Sequence, residues 1–268
     1  MVTMNKLPVY VGIDVAYAKR KRLPICVGKR NGAALDVLPL RDSFPKPPAG
    51  RGNIAALSEV ECKTFAKAVA VWLRKLEDEK GLDIKRIAID APRNHAVGHR
   101  RCAECAMDEL GINCFTTPTK AEFDEKINKT RTHLDAGGEE AKMPNANQLW
   151  MLVGFALFRA LEKTYDCIEV FPQAIVRAIG CKGEHKSTAA GREEQVKRFA
   201  KASGKRPSEV TASLSTMGFA SQHDRLDACL AAWVASLPPN MLIACGRPPD
   251  DVIWMPDKTR FANLAEDS

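Results

Sequence analysis

The stretch Val9-Tyr10-Val11-Gly12-Ile13-Asp14-Val15 constrains the fold more than any other part of the chain. Its β-branched and apolar residues mark a buried strand, interrupted only by Gly12 and Asp14. A carboxylate in such a strand is costly to bury unless it is paired or binds a metal. Two more strand-like runs follow, Leu23 to Gly28 and Ala34 to Leu40, with the hairpin signal Asn31-Gly32 between them. Three sequential strands joined by tight turns predict an antiparallel meander.

After an exposed Pro-, Gly- and Lys-rich loop (Phe44 to Asn53), Phe65, Val69, Trp72, Leu73 and Leu76 fall on one face of a helix. Ile84 to Asp90 then reads as a fourth strand, closed by Ala91-Pro92. Arg100 to Leu110 predicts a helix and Cys114-Phe115 a short strand. Residues 120–147 are polar and weakly periodic, contain Gly137-Gly138 and Pro144, and read as a mobile loop or lid. That loop is the core of an insert spanning about residues 116–148. Leu149 to Leu161 is an apolar helix, and Cys167 to Phe171 a fifth strand ended by Pro172. A basic, Gly-punctuated region with helix-like segments runs from Lys182 to Arg206. Near His223 a last strong helix begins, with Leu226, Leu230, Trp233 and Val234 at helical spacing, and Val252 opens a short strand-like run. Three antiparallel strands followed by strands alternating with helices predict an α/β mixed sheet, in one domain over residues 1–268.

Composition narrows the class further. With 268 residues, 45% of them hydrophobic, the chain can bury a sizeable core. It has no apolar run long enough to span a membrane and no secretory pattern near its first residues. Nine scattered cysteines, an odd number, predict a reducing cytoplasm rather than a disulfide framework. A net charge of +7 favours a polyanionic partner, nucleic acid above all. The aromatic content of 6% argues against a binder built on rows of stacking rings.

Asp90 ends its apolar strand as Asp14 does, and Glu169 sits in Cys-Ile-Glu-Val-Phe-Pro. One such acid reads equally well as a buried residue satisfied by backbone amides. Three at the ends of strands in one predicted sheet point to a cation site, and hard oxygen ligands suit Mg²⁺ or Mn²⁺. Asp224 and Asp227, three residues apart, share a face of the last helix's first turn. The plain reading is Asp224 as N-cap and Asp227 as an acid favoured by the helix dipole. Both readings can hold, since such a turn can aim a carboxylate into the same cleft.

Taken in order, VGIDVAYA, AIDAP, EVFP, HKSTAAGR and HDRLDACLAAWVA resemble the domain of unknown function 429 family, over roughly Val9 to Pro256. That family is described as predicted nucleases with a ribonuclease-H-like fold. The final-helix motif also resembles the acidic C-terminal helix of Holliday-junction resolvases in the same superfamily. The resemblance implies that Asp14, Asp90 and Asp227, with Asp224, collect two divalent ions for phosphodiester hydrolysis. One ion activates the attacking water and the other stabilises the leaving oxygen. Glu169 matches the EVFP motif. His185, Lys186 and Arg192 match the fourth motif and would position substrate phosphates, although a solvated basic loop explains them as well. Arg93, just past Asp90, could face the same site. A resolvase-like activity would predict a homodimer.

Cys102-x-x-Cys105 invites a zinc or redox reading, but a second pair is missing and small cysteines are common on helices. The leading expectation is a metal-dependent nuclease on DNA or RNA. The rivals are a nucleotide-hydrolysing or phosphotransfer enzyme of the same fold, and a non-catalytic nucleic-acid-binding module. The absence of glycine in Val15 to Arg20 weighs against the phosphotransfer reading, which needs a Gly-rich phosphate loop.

Overall fold

The computed structural model describes residues 6–182, 188–217 and 219–261. Strands β1 (Leu7–Asp14), β2 (Ile25–Asn31) and β3 (Ala34–Val37) form the expected meander. Helices α1 (Asn53–Ala56) and α2 (Glu59–Lys80) lead to β4 (Leu82–Asp90), which is followed by α3 (Cys102–Glu109), α4 (Lys120–Asp135) and α5 (Trp150–Leu161). Strand β5 (Cys167–Glu169), α6 (Pro172–Ala178), α7 (Ala189–Ala202), α8 (Pro207–Met217) and α9 (Gln222–Ser236) come next. A separate antiparallel hairpin, β6 (Leu242–Arg247) and β7 (Asp251–Pro256), closes the described chain.

The main sheet has the order β3-β2-β1-β4-β5, with β2 antiparallel to β1 and β3 while β1, β4 and β5 run parallel. This five-stranded mixed sheet flanked by helices is consistent with a ribonuclease-H-like arrangement. Alternation of side chains divides the core. Val9, Val11, Ile13, Ile87 and Ile89 pack against α2 and α5 on one face. On the other, Cys26, Ala88 and Ile168 pack against α6 to α9.

Local chemistry explains the helices. In α2 the predicted stripe is buried, Ser58 Oγ accepts the Glu61 N–H, and Gly81 ends the helix in the left-handed region at φ 62°. The polar loop expected over residues 120–147 is largely helix α4. A capping box starts it: Thr119 Oγ1 accepts the Glu122 N–H, and the Glu122 carboxylate accepts the Thr119 N–H. Only Phe123 and Thr130 of α4 are buried, so its apolar periodicity is faint. Pairs such as Lys120–Asp124 and Glu125–Lys129 line its exposed side instead. Cys114-Phe115, expected as a strand, lies outside any element, and Pro172 opens α6 as well as closing the strand before it.

Helix α9 lies directly on β1 because Gly12 has no side chain. A Cβ there would fall inside the contact distance of Ala228 O, Ala232 N and the Ala231 methyl. Gly12→Ala should therefore destabilise the fold by about 3 kcal/mol or more, since the two nearest clashing atoms are backbone and cannot move aside. Chemical denaturation would show it, and an unchanged midpoint would refute this account of the α9 seat.

No helix among the described residues is long and apolar enough to cross a membrane.

Candidate functional site

Asp14 and Asp90 are the last residues of two adjacent parallel strands and are register partners. Register-matched side chains leave a sheet on the same face, with strands about 4.8 Å apart. The pairing depends on an irregularity. Below it Leu7 opposes Leu82 and Val9 opposes Ile84, while above it Tyr10 opposes Arg86, leaving Lys85 as the extra residue on β4. Without this bulge Asp14 would face Ile89.

Helix α9 brings its acids to the same edge. Trp233, in its second half, donates to the carbonyl of Ala33 in the β2–β3 turn, at 2.8 Å, beside the start of β1. The middle of α9 crosses Gly12, so its first turn lies at the Asp14 end. Lys21, in the loop leaving β1, confirms the direction: its Nζ lies 2.5 Å from Asp224 Oδ2. This is a charge contact rather than an aligned hydrogen bond. The N-cap of α9 is Ser221, not Asp224; Ser221 Oγ accepts the Asp224 N–H at 3.4 Å. Asp227 is buried one turn further along.

Burial alone would raise the Asp224 carboxyl, but Lys21, Ser221 and His223 together hold it below the ordinary carboxylate range. A depressed folded-state pKa contributes stability above the unfolded value and loses it as pH falls through the folded one. Asp224→Asn should thus remove part of the acid limb of the stability profile. Denaturation midpoints measured from neutral to acid pH check this; a limb identical to the parent's would refute it.

Glu169 has a different setting. Its register partner is Ile89, so it belongs to the opposite face from Asp14 and Asp90. Its two carboxylate oxygens accept from Arg101 Nη1 and Nη2 at 2.8 and 2.7 Å, and one also accepts the Arg93 backbone N–H at 2.9 Å. Both side chains of this ion pair are almost fully buried. Burial disfavours the charged form of each: it pushes the Glu169 carboxyl up, whereas for Arg101 it is outweighed by Glu169 and Asp251, which hold the guanidinium above its ordinary range. Two aligned hydrogen bonds identify the ionised pair, and Glu169 keeps the guanidinium protonated. Asp251 of β7 completes the junction. It accepts from Arg101 Nε at 3.1 Å and from the Cys102 and Ala103 N–H groups at 2.6 and 3.2 Å, capping α3. Beyond the strand ends, Asp90, Arg101 and Glu169 all line one cavity of about 180 Å³.

The Arg93 guanidinium is engaged by Glu162 at 2.6 Å and by the Pro249 carbonyl at 3.0 Å. Arg192 sits on the first turn of α7, behind the Thr188 cap. His185 and Lys186 lie outside the described residues. Cys102 and Cys105 are exposed on α3. Among the described residues, no three His, Cys, Asp or Glu side chains are gathered into a group that could hold a metal ion. What the fold supplies is a pair of acids in register, with two more at the start of α9. Sequence reasoning missed Lys21, Arg101 and Asp251. The basic run Lys19 to Arg22 directly after the first acidic strand was the one local signal for any of them.

Residues 42–242 match a family model described as "Protein of unknown function (DUF429)". The match includes Asp90, Glu169, Asp224 and Asp227 and begins after the strand that carries Asp14. No curated protein and no solved structure matches the chain.

Proposed function

We propose, from the premise that this chain belongs to the DUF429 family of proteins of unknown function, that it is a metal-dependent nuclease hydrolysing phosphodiester bonds. The observation that carries this reading is the register pairing of Asp14 with Asp90 at the ends of two parallel strands. Two adjacent like charges repel in the folded state, and a shared cation offsets that repulsion.

The donor set fits a hard divalent ion. Mg²⁺ is commonly held by one or two carboxylates, with water and substrate phosphate oxygens filling the other positions. Asp14 and Asp90 would hold Mg²⁺ or Mn²⁺, with Asp227 and Asp224 arriving from α9. When bound, such an ion supplies Lewis-acid stabilisation of phosphoryl oxygens and a more acidic water.

The remaining tasks belong to the protein. Gly12 seats α9 so that its first turn stays at the acidic edge. Lys21 holds Asp224 ionised and ties the loop after β1 to that turn. Arg101 and Glu169 brace the wall beside Asp90. The basic excess of the chain would draw the polyanion in.

The test is cleavage of labelled single- and double-stranded DNA and RNA and a four-way junction, with Mg²⁺, Mn²⁺ or EDTA, beside Asp14→Asn protein purified identically. Metal-dependent cutting lost in the variant is the expected result. Absence of cutting on every substrate would overturn the nuclease reading.

A further inference from the structure

A second cavity, of about 510 Å³, adjoins the first at Asp90. Its walls include Asn113, Phe115, Phe171, Gln173 and Arg177, and it shares Asp90, Cys114, Phe115 and Phe171 with the smaller cavity. Its volume falls within the range of sites that take one small organic ligand, nucleotides included.

Phe115 is the unusual residue here. It is 57% exposed, more than any other aromatic ring among the described residues, and it stands in the irregular segment between α3 and α4. A large ring left in water beside a cavity is an available stacking surface. Phe171, the N-cap of α6, is half-buried in the same cavity. The flanking polar groups suit one kind of ligand. Asn113 and Gln173 each carry both a donor and an acceptor, which is what the edge of a nucleobase requires. Arg177 donates one N–H to the Cys181 carbonyl at 3.2 Å and is otherwise exposed, positioned to meet a phosphate.

We infer that this cavity receives an unpaired nucleobase of a single-stranded polynucleotide, stacked on Phe115, while the adjoining phosphate lies at Asp90. The inference rests on the nuclease reading for the phosphate's place and adds the substrate class. A base inside a duplex has both faces covered by its neighbours, so only an unstacked base can offer a face to Phe115. One ring supports a single stacking subsite, in keeping with the low aromatic content of the chain.

The experiment uses the full chain with Asp14→Asn, so that the probe stays intact. Binding of fluorescein-labelled single-stranded DNA, single-stranded RNA and a blunt DNA duplex of equal length is followed by anisotropy, with a mononucleotide as competitor. A single strand should bind more tightly than the duplex. Phe115→Ala should raise its Kd about tenfold, the loss expected for one stacked base, and leave duplex binding unchanged. Phe115→Trp should restore the affinity. Phe115 is exposed, so loss of folding does not complicate the comparison. A Kd indifferent to Phe115→Ala, a preference for the duplex, or no strand binding at all overturns the proposal. Displacement by the mononucleotide at the strand's own concentration would also overturn it, since the ligand would then be a free nucleotide. The two readings fail separately. Phe115-dependent strand binding without cutting by the parent protein sinks the nuclease alone. Metal-dependent cutting with unaltered KM in Phe115→Ala sinks the base subsite alone.

Discussion

On the proposed nuclease reading, asparagine at Asp14 or at Asp90 is expected to lower metal-dependent cleavage by about a hundredfold or more, while thermal stability stays level or rises. The two acids are register partners on β1 and β4, so each variant replaces one carboxylate of the pair with a neutral amide, whose oxygen is a weaker ligand for a hard cation. Losing one preorganised group that stabilises transition-state charge costs about 10²–10³-fold in rate, and a carboxylate that would hold the cation acts on that scale. Stability is expected to move the other way because adjacent like charges disfavour each other, and a neutral amide of the same shape removes that contribution. Initial cleavage rates and thermal melts on the same preparations separate these effects, and titration with Mn²⁺ followed by calorimetry reads ion binding directly. Full metal-dependent activity in both variants would remove the carboxylate pair from the mechanism. Inactivity accompanied by lower melting temperatures would turn it into a structural feature.

The second large effect belongs to Arg101. Arg101→Met strands the buried Glu169 carboxylate, and breaking one partner of a buried ion pair costs about 3–5 kcal/mol. For a chain of this length that is a fall in Tm on the order of 10 °C. The sign with pH follows from burial, which pushes the Glu169 carboxyl up, and from the loss of Arg101, the largest influence opposing it, so that the carboxyl rises further in the variant than in the parent. A carboxyl whose folded pKa is raised takes up a proton in the folded state. Stability therefore falls as pH rises from the unfolded value toward the folded one. The deficit of Arg101→Met should be smaller at acid than at neutral pH. The double variant Arg101→Met with Glu169→Gln should recover part of the loss at neutral pH, since no buried charge remains. Denaturant midpoints of the parent, both single variants and the double variant measure the coupling. Additive losses would show that the two side chains do not act as a pair.

The mixed sheet, the long amphipathic α2 and the apolar α9 were legible in the chain because each is written in a local period of two or of about 3.6 residues. The acids at strand ends were legible for the same reason, standing out as polar interruptions of apolar runs. Helix α4 escaped that reading because its stability is in its cap and exposed charge pairs rather than in an apolar stripe. The signal was Thr119 followed three residues later by Glu122. The hairpin of β6 and β7 was read only in its second strand, since Leu242 to Arg247 is largely exposed and lacks a clear alternation.

What the sequence determined by itself is which segments become strands and helices and which of them carry acids, because these depend on neighbours within a few positions. Only the tertiary structure decided which acids meet. One extra residue at Lys85 sets whether Asp14 faces Asp90 or Ile89, and a bulge leaves no mark in a hydrophobic pattern. Likewise Glu169 finds Arg101 across 68 positions, and Asp224 finds Lys21 from the far end of the chain. Charges act through space, and no local pattern ranks one distant partner over another.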